Sequence, residues 1–253
     1  MKDLGTNPGS TGSHLIECDD GRAYVVKFAG GTKAAINEFV GQTLASKVGL
    51  PVPEVLLVDL DADFVGSSAD LRYRSISPGL HVGSAYISHC VHLDDWRHLE
   101  GHGNTVLENL EVIPGTICHD NWIITEDRDR ADNHLVQVAK GKPRYLMIDF
   151  THGFTGPFWT ADSLEQASYL RGLVPSIPFL TDMVTGLSSL QPILGRIEAI
   201  SDSQLESTIR DIPEAWSLSA DEAGCLLSFL QVRRGLLRST LTDNRRSFRN
   251  WSD

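Results

Sequence analysis

The tightest constraint on this chain lies in its middle, in the spacing of three oxygen-bearing side chains. Trp122-Ile123-Ile124-Thr125-Glu126-Asp127-Arg128 is followed by Asn133-His134-Leu135-Val136 and, after a short break, by Leu146-Met147-Ile148-Asp149-Phe150. An acid, then an amide, an apolar strand, a turn, and a second acid closing another apolar run describe a hairpin that returns its ends to one place. Each residue alone reads as a loop acid, a turn asparagine or a strand-end aspartate. Together they suit phosphoryl transfer. That chemistry asks for a cation on the nucleotide phosphates, oxygen ligands for a metal, a residue facing the attacking hydroxyl, and a backbone loop that approaches the phosphates. In that scheme Asp127 orients or deprotonates the hydroxyl, and Asn133 and Asp149 hold magnesium.

The remaining parts lie upstream. Gly9-Ser10-Thr11-Gly12-Ser13 precedes two β-prone runs, His14 to Cys18 and Arg22 to Phe28, joined by Asp19-Asp20-Gly21. An aspartate-glycine pair between such runs predicts a hairpin. Glycines let backbone amides approach an anion, which makes residues 9–13 a candidate phosphate loop; the blander reading is a solvated lead-in to the hairpin. Lys27 lies near the end of the second run. By itself it reads as a snorkelling surface lysine, but beside the glycine loop it is the candidate phosphate cation. Glu38, in the helix that follows, is placed to pair with it or to stand as an ordinary solvated glutamate.

Around these residues the pattern predicts an α+β chain. Ile36, Phe39, Val40, Thr43, Leu44 and Val48 recur at helical spacing, which predicts a helix from about 33 to 48 with one apolar face. Gly49 stops it, and Pro51 and Pro53 keep it stopped. Residues 55–60 read as a buried strand, 71–87 as mixed strand and turn, and 118–124 as helix. Residues 91–115 are polar, rich in histidine and carry no clear period. Ser201 with Gln204, and Ser219 with Glu222, are capping boxes that start two helices of a mainly helical C-terminal part. The last of these buries Leu226, Leu227, Leu230 and Leu237.

Composition narrows the function classes. The formal net charge of −11 repels a phosphate backbone, and Arg245-Arg246-Ser247-Phe248-Arg249 is too short a basic stretch to offset it, so no nucleic-acid partner is expected. No apolar run nears the ~20 residues of a membrane span and no secretory leader opens the chain, so no membrane partner and a cytoplasmic location are expected. Cys18, Cys90, Cys118 and Cys225 form no closely spaced pair and read as free thiols. His89, His92, His98 and His102 cluster in sequence, but Gly101 and Gly103 interrupt any helix that would aim them at a metal.

The chain resembles the HipA-like kinase family, a branch near the phosphatidylinositol 3/4-kinase fold. Gly9-Ser10 with His14-Leu15, Tyr24 to Phe28, Asn37-Glu38-Phe39-Val40, Leu44-Ala45, Gly49-Leu50-Pro51-Val52-Pro53 and Pro78-Gly79-Leu80 with Gly83-Ser84 carry the resemblance. Trp122-Ile123, Asp127-Arg128, Asn133-His134-Leu135, Leu146 to Phe150, Ile212 to Trp216 and Phe229 to Arg234 continue it. The resemblance implies a two-lobed protein-kinase-like fold: one kinase domain over residues 1–253, with an N-lobe of about 1–85 and a C-lobe of about 86–253. It implies ATP and magnesium (Mg2+) as cofactors, Lys27 on the ATP phosphates, Asp127 as catalytic acid/base, and Asn133 and Asp149 as metal ligands. The acceptor it implies is a serine or threonine hydroxyl of a protein, with autophosphorylation at Ser10, Thr11 or Ser13 in the glycine loop. A small-molecule or lipid kinase of the same fold, and a nucleotide-binding pseudokinase, are the alternatives.

Two positions depart from the family pattern. The amide usually follows the catalytic acid by five residues, where this chain has Asp132, so Asp132 and Asn133 both stand as candidate ligands. Thr125 occupies a place often held by asparagine. The chain also starts at the glycine loop, without the N-terminal subdomain of full HipA proteins, which leaves an antitoxin-like partner open but unsupported. The adenine-contacting segment is sought near Ser75 to Ser84.

Overall fold

The computed structural model describes residues 1–6, 12–98, 106–139 and 141–252. Strand β1 (Lys2–Thr6) pairs antiparallel with β2 (His14–Glu17), and β2 with β3 (Ala23–Lys27) in the register Leu15 to Val25. The predicted hairpin turn closes with Cys18 N–H on the Arg22 carbonyl at 2.9 Å and Gly21 N–H on the Cys18 carbonyl at 3.0 Å. Gly21 sits at φ +74°, which glycine adopts without steric cost. β1 was not foreseen, so the glycine-rich segment joins two strands instead of opening the chain.

Helix α1 (Ala34–Lys47) follows. It is buried over almost its whole circumference, with the polar Asn37, Glu38 and Gln42 inside as well as Ile36, Phe39, Val40 and Leu44. The single apolar face read from the sequence is thus a central helix. Gly49 ends it in the left-handed region at φ +76°. Then come β4 (Val55–Leu60), two short helices α2 (Ala62–Ser67) and α3 (Ala69–Tyr73) capped by Asp61 and Ser68, and β5 (Gly79–Ala85). The sheet order β1-β2-β3-β5-β4 places β5 between β3 and β4. Ile16, Tyr24, Val26, Val58, Leu60, Val65 and Leu71 form a small core of their own.

The stretch without period resolves into β6 (Cys90–His92), α4 (Leu93–His98) and a 3-10 turn at Leu110–Gly115 that leads into α5 (Thr116–Ile123). A second antiparallel sheet, β6-β7-β8, adds β7 (His134–Gln137) and β8 (Arg144–Met147). The rest is helical: α6 (Ala161–Ser168), α7 (Pro178–Asp182), α8 (Leu187–Ala199), α9 (Asp202–Arg210) and the 24-residue α10 (Ala220–Asp243). Both foreseen capping boxes form, and Thr160 with Ser163 makes a third. Helix α10 runs behind α5, where the Trp122 indole N–H donates to the Leu230 carbonyl at 2.9 Å. The large core is continuous from α1 through α5 to α10.

Candidate active site

Alternation along β3 buries Val26 and turns Lys27 the other way, into a cleft between the five-stranded sheet and the β7–β8 hairpin. There the Lys27 ammonium donates to Glu38 Oε2 at 2.8 Å, to Asp149 Oδ1 at 2.7 Å and to Thr151 Oγ1 at 3.1 Å. Glu38 Oε2 also accepts the Phe150 backbone N–H at 2.7 Å. One buried carboxylate on α1 therefore fixes both the lysine and the chain beside Asp149. Burial works against the Lys27 ammonium, but the Asp149 and Glu38 carboxylates outweigh it and hold its pKa above the ordinary lysine value. Burial likewise opposes the Asp149 carboxylate, and Lys27 with the Thr151 hydroxyl outweighs it, holding that carboxyl well below the usual range.

Strand β8 stops at Met147, two residues before Asp149, earlier than the apolar run suggests. Asp149 itself is left-handed at φ +60°, a strained conformation for a residue with a side chain, worth on the order of 1–3 kcal/mol. Across the cleft, α5 is capped by Ile124, also left-handed at φ +51°, and releases the loop that carries Asp127. Asn133 Nδ2 donates to the Asp127 carbonyl at 2.9 Å, and the Asn133 carbonyl accepts the Ile148 N–H at 3.2 Å, so the amide ties the two acid-bearing segments together. Asp127 Oδ1 has no hydrogen-bond partner. Asp132 is held in a fork by Arg130, at 3.1 and 2.7 Å.

The cleft has a volume of about 590 Å³, and Lys27, Glu38, Asp127, Asp132, Asn133 and Asp149 all line it, as do Gly12 and Ser13. Gly9, Ser10 and Thr11 lie outside the described residues. The apolar wall includes Val25, Leu135, Leu146 and Ile148, and the crossing from the first sheet runs along Ser84 to Ile87. The segment sought at 75–84 meets the cleft only at Ser84. His89 and His92 line the cleft, whereas His98 turns its Nδ1 to the Asp94 carbonyl, and His102 lies outside the described residues. Among the described residues no group of three or more His, Cys, Asp or Glu side chains forms a metal cage. The side-chain oxygens of Asp149, Asn133 and Asp127, all on residues that line the cleft, are hard donors. Few in number, they suit an ion such as magnesium that takes one or two carboxylates and completes its shell with phosphate and water.

Thr151, which lines the cleft, and Asn37, buried behind it, are contacts that spacing did not reveal. Asn37 Nδ2 lies 2.8 to 2.9 Å from the carbonyls of Thr151, Gly153 and Gly156, and its Oδ1 accepts the Trp159 indole N–H at 2.7 Å. The segment after Asp149 is thus pinned to the same helix that carries Glu38. The Asn37-Glu38 pair in the sequence was the available signal, but only its acid had a foreseen partner.

A lysine clamped by a helix carboxylate, facing a loop acid across a cleft between a small sheet and a helical portion, is the architecture of a kinase. The chain belongs to the HipA-like kinase family, whose model matches residues 5–248. Its fold is similar to that of the Helicobacter pylori proinflammatory kinase CtkA, with a TM-score of 0.63 at 15% identity over 96% of this chain and 94% of that one. HipA of Shewanella oneidensis, solved with HipB and operator DNA, is matched with a TM-score of 0.44 at 14% identity over 98% of this chain and 68% of that one. No curated protein sequence matches the chain. Among the described residues no helix is long and apolar enough to cross a membrane.

Proposed function

We propose that this kinase transfers the γ-phosphate of ATP, with magnesium, to a serine or threonine hydroxyl of a protein. The observation that carries the reading is the meeting of Lys27, Glu38 and Asp149 within hydrogen-bond distance, in the cleft that Asp127 lines with an uncommitted oxygen. Residues up to about 85 act as the N-lobe and residues from about 86 as the C-lobe. Lys27, held by Glu38, binds the ATP phosphates, and Gly12 and Ser13 with the preceding loop cover them. Asp127 accepts the proton of the attacking hydroxyl. Asp149 and Asn133 would hold magnesium, which, when bound, neutralises charge on the phosphate oxygens. Asn133 is favoured over Asp132 because the Asp132 carboxylate is engaged by Arg130 while the Asn133 backbone and amide join both acid-bearing segments. The chain works in the cytoplasm. Ser13 is only 2% exposed, so autophosphorylation in the loop falls to Ser10 and Thr11.

Labelled ATP with magnesium, the chain and a panel of protein acceptors tests this. Label should appear on serine or threonine, and Asp127→Ala should abolish it while retaining the thermal stabilisation that ATP and magnesium give by binding the folded state. Transfer that persists in Asp127→Ala, or no stabilisation of the parent chain by ATP with magnesium, would overturn the reading.

A further inference from the structure

Arg128 is one residue past Asp127, and its side chain is completely buried. Its Nε donates to Asp120 Oδ1 at 2.9 Å, and its Nη1 donates to the carbonyl of Ile148, the residue before Asp149. Its guanidinium also lies 4.7 Å from the ring centroid of Phe150, the residue after Asp149. The cation therefore begins beside one site aspartate and ends by gripping both neighbours of the other. Its backbone is fixed too, since His134 Nε2 lies 3.1 Å from the Arg128 carbonyl and His134 Nδ1 lies 2.7 Å from the Tyr145 hydroxyl. Asp120, 1% exposed on α5, anchors the far side. Breaking a buried ion pair by removing one partner is costly, and a group that only filled space would be served as well by an apolar side chain.

We infer that Arg128, anchored by Asp120, is a positioning residue that sets the separation between Asp127 and Asp149. Fully buried, its side chain stands behind the cleft lining rather than in it. The left-handed backbone at Asp149 makes such a restraint necessary, because a residue at φ +60° relaxes unless its neighbours are held. Nothing but a guanidinium serves here: a lysine keeps the charge but lacks the planar fork that reaches Asp120 and the Ile148 carbonyl together and stacks on an aromatic face. The inference deepens the phosphotransfer reading above and rests on it.

Arg128→Lys separates positioning from simple support of the fold. Metal-free nucleotide binding depends on Lys27 and the loop, so the ADP dissociation constant without magnesium should stay within about threefold of the parent. Binding of ATP with magnesium should weaken about tenfold, and kcat should fall about a hundredfold, the scale of an ångström-sized misplacement. Asp120→Asn, which keeps the volume and an acceptor for Nε, should show the same split with a smaller loss of about three- to tenfold, and it serves if Arg128→Lys does not fold. Folded variants that match the parent in magnesium-dependent binding and kcat overturn the inference. So does an equal loss of metal-free ADP binding. A parent chain that binds ATP with magnesium yet transfers no phosphate would sink the catalytic reading, and the magnesium-dependent binding of the variants would still decide the role of Arg128.

Discussion

Lys27 Nζ lies 2.7 Å from Asp149 Oδ1, a contact between residues 122 positions apart in the chain. With Glu38 at 2.8 Å, one ammonium sits between two carboxylates, each of which has another duty. Glu38 also receives the Phe150 N–H, and Asp149 also receives the Thr151 N–H at 3.2 Å. The lysine is thus the joint between β3, α1 and the segment after β8.

Lys27→Met should leave two facing carboxylates without their common cation. Phosphoryl transfer should fall about 10²- to 10³-fold, the scale seen when a charge-stabilising donor is lost. Steady-state transfer from labelled ATP measures this; activity within threefold of the parent would contradict the role given to the lysine.

Acid should destabilise the fold through buried histidines. Burial, helped by the Arg128 charge, pushes His119 down to about 3 and His134 down to about 4. Both titrate near ~6.5 when unfolded. Their folded pKa values lie below the unfolded ones, so the unfolded chain binds protons first as pH falls. Their contribution is whole above about pH 6.5 and is lost as pH drops toward those lower values, at about 1.4 kcal/mol per unit of difference. The depressed Asp149 adds a loss of the same sign, below about pH 4. Melting temperatures recorded from pH 8 to pH 4 should fall steadily below about 6.5, and His119→Leu should flatten the curve. Parallel curves for parent and variant would refute the assignment.

Asn37→Ala should loosen the chain after Asp149 without disturbing Lys27. Hydrogen exchange at residues 151–156 should speed up while the β3 amides keep their protection, and kcat should drop about tenfold through misplacement of the cleft floor. Unchanged exchange in that segment would show that other contacts hold it.

Glycines at two helix positions should respond with opposite signs. A Cβ on Gly41 would lie 2.8 Å from Phe150 Cβ, whereas one on Gly224 meets nothing within 4 Å. Gly224→Ala should therefore gain up to about 1 kcal/mol from helix propensity. Gly41→Ala should lose stability despite the same propensity gain, and it should lose activity because Phe150 neighbours Asp149. Denaturant melts of the two variants give the comparison, and a stabilised Gly41→Ala would refute it.

Much of the frame was legible because its signals are local. Asp20-Gly21 marked the hairpin, Gly49 with Pro51 marked the end of α1, and Ser201 and Ser219 marked helix starts. Strand β1 escaped because Asp3 and Gly5 are poor strand formers, and the strand forms only by pairing with β2, as Asp3 does with Ile16 and Thr6 with His14. The short α2 and α3 offered too few turns for a period. At the site, the acids and the lysine were visible as residue types at workable separations. The clamp by Asn37, the fork of Arg128 and the hydroxyl of Thr151 were not, since each acts on backbone carbonyls or on partners more than a hundred positions distant or across a loop. Burial of Glu38 in a helix packed on all sides also exceeds what a helical period conveys.

The place of α10 has a consequence for synthesis. The Trp122 indole is capped by Leu230, and Arg233 reaches the carbonyls of Asn121 and Leu170, so the backing of the Asp127 loop is supplied by residues translated well after it. A nascent chain that has emerged only as far as Ile200 holds every residue proposed for phosphate transfer, yet lacks the brace behind them. Competence therefore waits on Leu230 and Arg233, which follow Asp127 by about a hundred positions.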